Sequence, residues 1–125
     1  MKKIISTPNA PAAIGPYSQA VQVGDTLYTS GQIAINPATG NIAGPTIEEQ
    51  TIQVMKNLSQ ILEAAGFAYS DVVKTTVFIC DMASFSTVNK IYGEYFTGNA
   101  PARSCVEVKS LPKGALIEVE VIAQK

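Results

Sequence analysis

Residues 46–65 carry one apolar stripe and only one, and this limits what the rest of the chain can be. Ile47, Thr51, Val54, Met55, Leu58, Ile61, Leu62 and Ala65 recur at spacings of three and four, which places them on one side of an α-helix. Thr46 with Glu49 reads as a capping box at its start, and Gly66 ends it. A helix with a single apolar side must bury that side against another element. The sequence offers strands for this purpose at 20–23, 26–30, 72–80, 104–109 and 116–123, with an N-terminal edge strand at 3–6. A second, shorter helix is expected over about 84–96, with Phe85, Val88, Ile91, Tyr92 and Tyr95 inward and Gly98 as its terminator. Gly93 weakens it by about 1 kcal/mol against alanine. This order of elements predicts an α+β domain with its helices on one face of a sheet.

The 125 residues suit one domain, 1–125, large enough to bury its own core. Charged residues make up 15% of the chain, below the roughly 25% usual for soluble domains, while 46% is apolar. So little charge implies that another copy covers part of each subunit. Net charge is −1, and the nine Lys and Arg are scattered apart from Lys2 and Lys3, so no basic stripe exists for nucleic acid. The apolar stretch after those lysines stops at Ser6, short of what a signal peptide needs, and no run reaches membrane-spanning length. Neither nucleic acid nor membrane is an expected partner. Cys80 and Cys105 lie in apolar strand-like sequence, which suits reduced thiols in the cytoplasm.

Strand alternation sends Ile117, Val119, Val121 and Ala123 one way and Glu118, Glu120 and Ile122 the other. It also puts Arg103, Cys105 and Glu107 on one face. Gly24-Asp25 marks a tight hairpin, and the connection 110–114 is expected to turn the last two strands back on each other. Antiparallel pairing of those two strands is one way to bring Arg103 and Glu118 onto a common face, with the register open.

The chain has no histidine, which removes the usual general base and the commonest metal ligand. No metal cluster, phosphate loop or dinucleotide fingerprint is present either, so no metal or cofactor is expected. Chemistry then falls to Arg, Glu, Tyr, Cys, backbone amides and water. Arg103 follows Pro101-Ala102, which favours an extended, narrow approach. Its planar fork fits a small carboxylic acid bidentately, and the alternative is a structural ion pair with Glu107 or Glu118. Glu118 can take and return a proton if burial raises its pKa; as a solvated strand residue it does nothing, and Glu120 is as good an acid on these grounds. Cys105 as a nucleophile lacks a base, and the plainer reading is a small buried residue whose backbone N–H matters more than its sulfur. Ser30-Gly31-Gln32 either lets a ligand approach the backbone closely or simply ends a strand. Gly15-Pro16-Tyr17-Ser18 delivers a phenol to a cleft or to ordinary packing.

Five runs in order, Ala13-Ile14-Gly15-Pro16-Tyr17-Ser18-Gln19-Ala20, Thr29-Ser30-Gly31-Gln32-Ile33, Val73-Lys74-Thr75-Thr76-Val77-Phe78, Pro101-Ala102-Arg103-Ser104-Cys105-Val106 and Leu116-Ile117-Glu118-Val119-Glu120, resemble those of the RidA (YjgF) family of reactive intermediate deaminases. The resemblance spans essentially the whole chain. It implies a chorismate-mutase-like α+β subunit, a mixed sheet with two helices on one face, and a homotrimer around a central barrel with ligand clefts between subunits. It also implies cofactor-free hydrolysis of 2-enamine and 2-imine acids, such as 2-aminoacrylate or 2-iminopropanoate, to 2-oxo acids and ammonia. By position, Arg103 would hold the carboxylate and Glu118 would orient water and move a proton. Tyr17, Gly31 and the Cys105 backbone would line the cleft, with Ser30 and Asn89 as further cleft residues. Two alternatives remain, a non-catalytic 2-oxo acid binding regulator and, less favoured without basic surface or histidine, a translation inhibitor or ribonuclease.

Overall fold

Helix α1 (Ile47–Ala64) begins and ends where its sequence dictates, in a computed structural model that describes residues 1–125. The Thr46 hydroxyl accepts from the Glu49 N–H and donates to Glu49 Oε1 at 2.9 Å. The Glu49 carboxylate thus holds the side chain of the cap and not its N–H, a variant of the expected capping box. At the other end the Gly66 N–H donates to Glu63 O at 3.0 Å and the Phe67 N–H to Leu62 O at 2.8 Å, a Schellman closure. It needs φ of +80° at residue 66, open to glycine without a Cβ clash.

Six strands form one sheet: β1 (Lys2–Ile5), β2 (Ala20–Val23), β3 (Thr26–Thr29), β4 (Val72–Ile79), β5 (Ala102–Glu107) and β6 (Ile117–Gln124), in spatial order β1-β2-β3-β6-β4-β5. All neighbours are antiparallel except β4 and β5, which are parallel and joined through helix α2 (Phe85–Gly93). Gly24, at φ +58°, closes the expected β2–β3 hairpin.

Two expectations fail here. The connection 110–114 does not fold the last two strands onto each other, because β5 and β6 lie on opposite sides of β4. Helix α2 ends at Gly93, short of residue 96, where the poorest helix former in the segment sits. Beyond it Tyr95 and Phe96 join Tyr69 and Tyr92 in an aromatic cluster with ring centroids 4.7 to 5.3 Å apart. A 3-10 turn, Met82–Ser84, precedes the helix, and the Asp81 carboxylate accepts from the Ala83 N–H at 2.9 Å to cap it.

The core lies on one side of the sheet. Leu27, Val77, Ile79, Ile117, Val119, Val121 and Ala123 meet Val54, Met55, Leu58, Ile61 and Leu62 of α1 and Val88 and Tyr92 of α2. Full burial of each Leu, Ile or Val is worth about 1.5–3 kcal/mol. The alternation expected in β6 is the one observed, buried at odd positions and open at even ones. No helix covers the other side. There Ile4, Tyr28 and Val106 stay 52%, 49% and 43% exposed, beside half-buried Val21, Phe78 and Ile122.

Candidate active site

Glu118 belongs to the side of the sheet that no helix covers. On β6 it stands opposite Phe78, while its chain neighbour Val119 exchanges backbone hydrogen bonds of 2.8 and 3.1 Å with Gln32. That bridge carries Gly31 alongside Glu118. A Cβ on residue 31 would come within 2.7 Å of the Glu118 carboxyl carbon, so the missing side chain makes room for the carboxylate. The two border a cavity of about 410 Å³, with Tyr17, Ile14, Ile33 and Lys113 among the other walls. Burial, and then the neighbouring charge of Glu120, raise the Glu118 carboxyl above its ordinary 4.5.

Local sequence explains the wall. Gly15 takes φ +128° and accepts from the Tyr17 N–H at 2.9 Å, which turns the phenol toward the cavity. Buried Gln19 pins the preceding segment, accepting from the Thr7 N–H at 2.7 Å and donating to Pro11 O at 2.7 Å. Ser30 donates to Ser18 O at 2.6 Å. It thereby fastens the loop that bears Tyr17, just before β2, and does not itself line the cavity.

Arg103 belongs to the other side. On edge strand β5 it stands beside fully buried Thr75, so it points to the helix-covered face. Its guanidinium carbon lies 5.3 Å from the Phe85 ring centre and 4.9 Å from that of Tyr92, and Nη1 donates to Asn89 Oδ1 at 2.6 Å. Neither ion pair weighed from sequence forms. Glu107 accepts from the Met82 N–H at 2.7 Å, and Glu118 faces away. Cys105 lies beside Val77 on the same face as Arg103. Burial raises its thiol pKa, and the opposing pull of Arg103 is the smaller effect, so it stays a thiol near neutrality.

The structure therefore gathers Glu118, Gly31 and Tyr17 on one side and Arg103, Asn89 and Cys105 on the other. The expected common face for Arg103 and Glu118 does not exist within a chain. One register couples Arg103 to Thr75 and the other couples Glu118 to Phe78, and adjacent odd and even positions of β4 point oppositely. One group of residues can hold and exchange a proton; the other presents an anchored cation. A small acid cannot touch both sides of one sheet. Ile14, Ile33 and Lys113 join the first group without having been expected there, and Phe85 and Tyr92, expected only as core, join the second. The sequence signal for Lys113 is its place in the loop that leads into the strand of Glu118; its φ of +58° is visible only in the structure. The spacing of Phe85, Asn89 and Tyr92, four and then three residues, marks one stripe of α2.

Residues 7–125 match the family model described as Endoribonuclease L-PSP. The human protein named 2-iminobutanoate/2-iminopropanoate deaminase is 49% identical over 123 residues, covering 98% of this chain and 90% of its own. Among solved structures, a Rid family protein of unknown function from Yersinia pestis superposes with a TM-score of 0.98 at 54% identity, covering all of both chains. E. coli TdcF with bound serine superposes with a TM-score of 0.94 at 43% identity over 98% of each chain. With the Gly31–Glu118 contact and the separately held Arg103 in a mixed α+β subunit of this kind, the chain belongs to the Endoribonuclease L-PSP family, that of YjgF and RidA.

Proposed function

We propose that this protein is a hydrolytic deaminase of 2-imine and 2-enamine acids, releasing 2-oxo acids and ammonia without a cofactor. The observation that carries the reading is Glu118, a carboxyl with raised pKa lodged over a glycine in a cavity. The guanidinium fork of Arg103 holds the substrate carboxylate. Glu118 accepts a proton from water as the oxygen adds to the imine carbon and passes it to nitrogen to give the carbinolamine. It then takes the hydroxyl proton and passes that to nitrogen as the C–N bond breaks, the carbonyl forms and ammonia leaves, so both hydrogens of the water end on ammonia. An imine carbon is already electrophilic, so orienting one water and relaying its two protons in turn through one carboxylate suffice, and histidine is dispensable. Tyr17 and the Gly31 backbone line the cleft with the Cys105 backbone N–H, while Asn89 and Ser30 hold Arg103 and the Tyr17 segment.

Because the two groups lie on opposite faces, the cleft is built between two copies, one giving Arg103 and the other Glu118. A homotrimer with its uncovered sheet faces turned inward around a central barrel meets this requirement and buries Tyr28 and Val106. The free thiols of Cys80 and Cys105 fit the cytoplasm. Relatives named 2-iminobutanoate/2-iminopropanoate deaminase at about half identity support the same reaction.

The test generates the imine in situ with a serine or threonine dehydratase, with semicarbazide as competing trap. Wild-type protein should cut semicarbazone formation and speed 2-oxo acid release. Arg103→Ala should lose at least tenfold in both 2-oxo acid binding and turnover, and Arg103→Lys should recover little. Glu118→Gln should lose about 10² to 10⁴ in turnover with little change in 2-oxo acid affinity. Wild-type protein that binds 2-oxo acids without speeding imine loss would instead be a binding regulator.

A further inference from the structure

We infer that Phe85, Tyr92 and Thr75 are positioning residues for Arg103, fixing the plane and the edge that its guanidinium offers to a carboxylate. The inference rests on Arg103 as the carboxylate anchor proposed above. An arginine on an exposed edge strand has several rotatable bonds, and nothing on β5 itself limits them. The limit comes from α2. Phe85, Asn89 and Tyr92 fall on one stripe of that helix, and the guanidinium lies along it. Both ring centres are within the 6 Å at which a cation is held by an aromatic face, while Asn89 Oδ1 takes one hydrogen of Nη1. This leaves the Nε–Nη2 edge free for a two-point contact.

Tyr92 is itself tied down. Its hydroxyl pairs with Thr75 Oγ1 at 2.8 Å, and its ring packs on Phe96 at 4.7 Å. Thr75 is a hydroxyl at a fully buried position, and the next two residues on the same strand face, Val77 and Ile79, are apolar. Valine would fill that place without a polar atom to satisfy, and the hydroxyl pairs with Tyr92. Thr75 is also the register partner of Arg103 across the β4–β5 ladder. The contacts thus close a ring: Arg103 to Tyr92, Tyr92 to Thr75, and Thr75 through the ladder back to Arg103. A ring of this kind fixes direction at the site where a bidentate contact depends on direction.

The experiment titrates 2-oxobutanoate, and its uncharged analogue 2-oxobutanamide, into wild type, Phe85→Leu, Phe85→Tyr, Tyr92→Phe, Thr75→Val and Arg103→Ala, and measures KM and kcat for each. Phe85→Leu, Tyr92→Phe and Thr75→Val should weaken 2-oxobutanoate by about 5- to 20-fold and raise KM alike. Their effect on the amide and on kcat should be much smaller, and Phe85→Tyr should bind like wild type. A generally loosened fold would lower kcat and affect both ligands. Phe85 is only half-buried, so its leucine variant carries the test if a Tyr92 or Thr75 variant does not fold. If folded Phe85→Leu keeps wild-type affinity while Arg103→Ala loses it, the positioning role is wrong and the anchor stands. If Arg103→Ala also binds like wild type, the anchor is wrong and the positioning role falls with it.

Discussion

A methyl group at residue 31 would stand where the Glu118 carboxylate now lies, yet the Gly31 backbone is not in the left-handed region that demands glycine. Gly31→Ala should therefore fold, because a flexible side chain can swing aside, but it should lose at least about tenfold in turnover as Glu118 leaves its place. Circular dichroism and the imine assay read the two effects separately. The raised pKa of Glu118 has a consequence for stability. Below the ordinary 4.5 the residue is neutral folded or unfolded, and wild type and Glu118→Gln should melt alike. As pH rises through the folded pKa, wild type must hold a charge it has partly desolvated, and that share of its stability is lost. Glu118→Gln should thus gain melting temperature over wild type only above about pH 5, where a pH series of thermal melts will show it. Cys105→Ala should keep most of the activity, since burial holds its sulfur as a thiol and a backbone N–H survives the change. At this scale the residue types were legible in the sequence: an arginine behind Pro101-Ala102, a glutamate in an alternating strand, a glycine after a strand. Their environments were not. That Glu118 leans on Gly31 depends on the Gln32–Val119 bridge, 87 residues apart in the chain.

Among the elements, those fixed by neighbours in sequence were legible and those fixed by distant partners were not. The stripe of α1, its Thr46 cap and its Gly66 stop follow from residues within one or two turns, as does the hairpin at Gly24-Asp25. Strand β6 shows its inward and outward residues plainly because side chains alternate whatever the partner. Which strands pair is another matter. The segment 110–114 has turn residues, and turn residues suggest a hairpin, but β4 has a deeper claim as the central partner of both β5 and β6. The helix α2 that links β4 to β5 makes a parallel neighbour possible, and periodicity carries no record of that choice. The legible part is open to a direct check at Gly66. With φ at +80° and two closing hydrogen bonds depending on it, Gly66→Ala should cost about 1 kcal/mol. Urea denaturation should show a lowered midpoint with unchanged slope.

For the whole molecule, the decisive fact is that one sheet separates Arg103 from Glu118. A chain with 15% charged residues and an uncovered, partly apolar sheet face has reason to associate, and the proposed cleft between copies would give that association a function. Light scattering should give about three times 13.2 kDa at micromolar concentration. Mass alone does not show that a cleft is shared, but complementation does. Arg103→Ala and Glu118→Gln should each be nearly inactive as pure proteins. Unfolded together in equal amounts and refolded, they should form mixed trimers in which some clefts draw an intact arginine from one copy and an intact glutamate from the next. Random assembly gives each such cleft a chance of one half times one half, so about a quarter of wild-type activity per chain should return. A cleft contained in one chain gives no recovery at any mixing ratio. Mixed trimers that form, by mass spectrometry, yet stay inactive would therefore break the shared cleft and the trimeric reading of the site together.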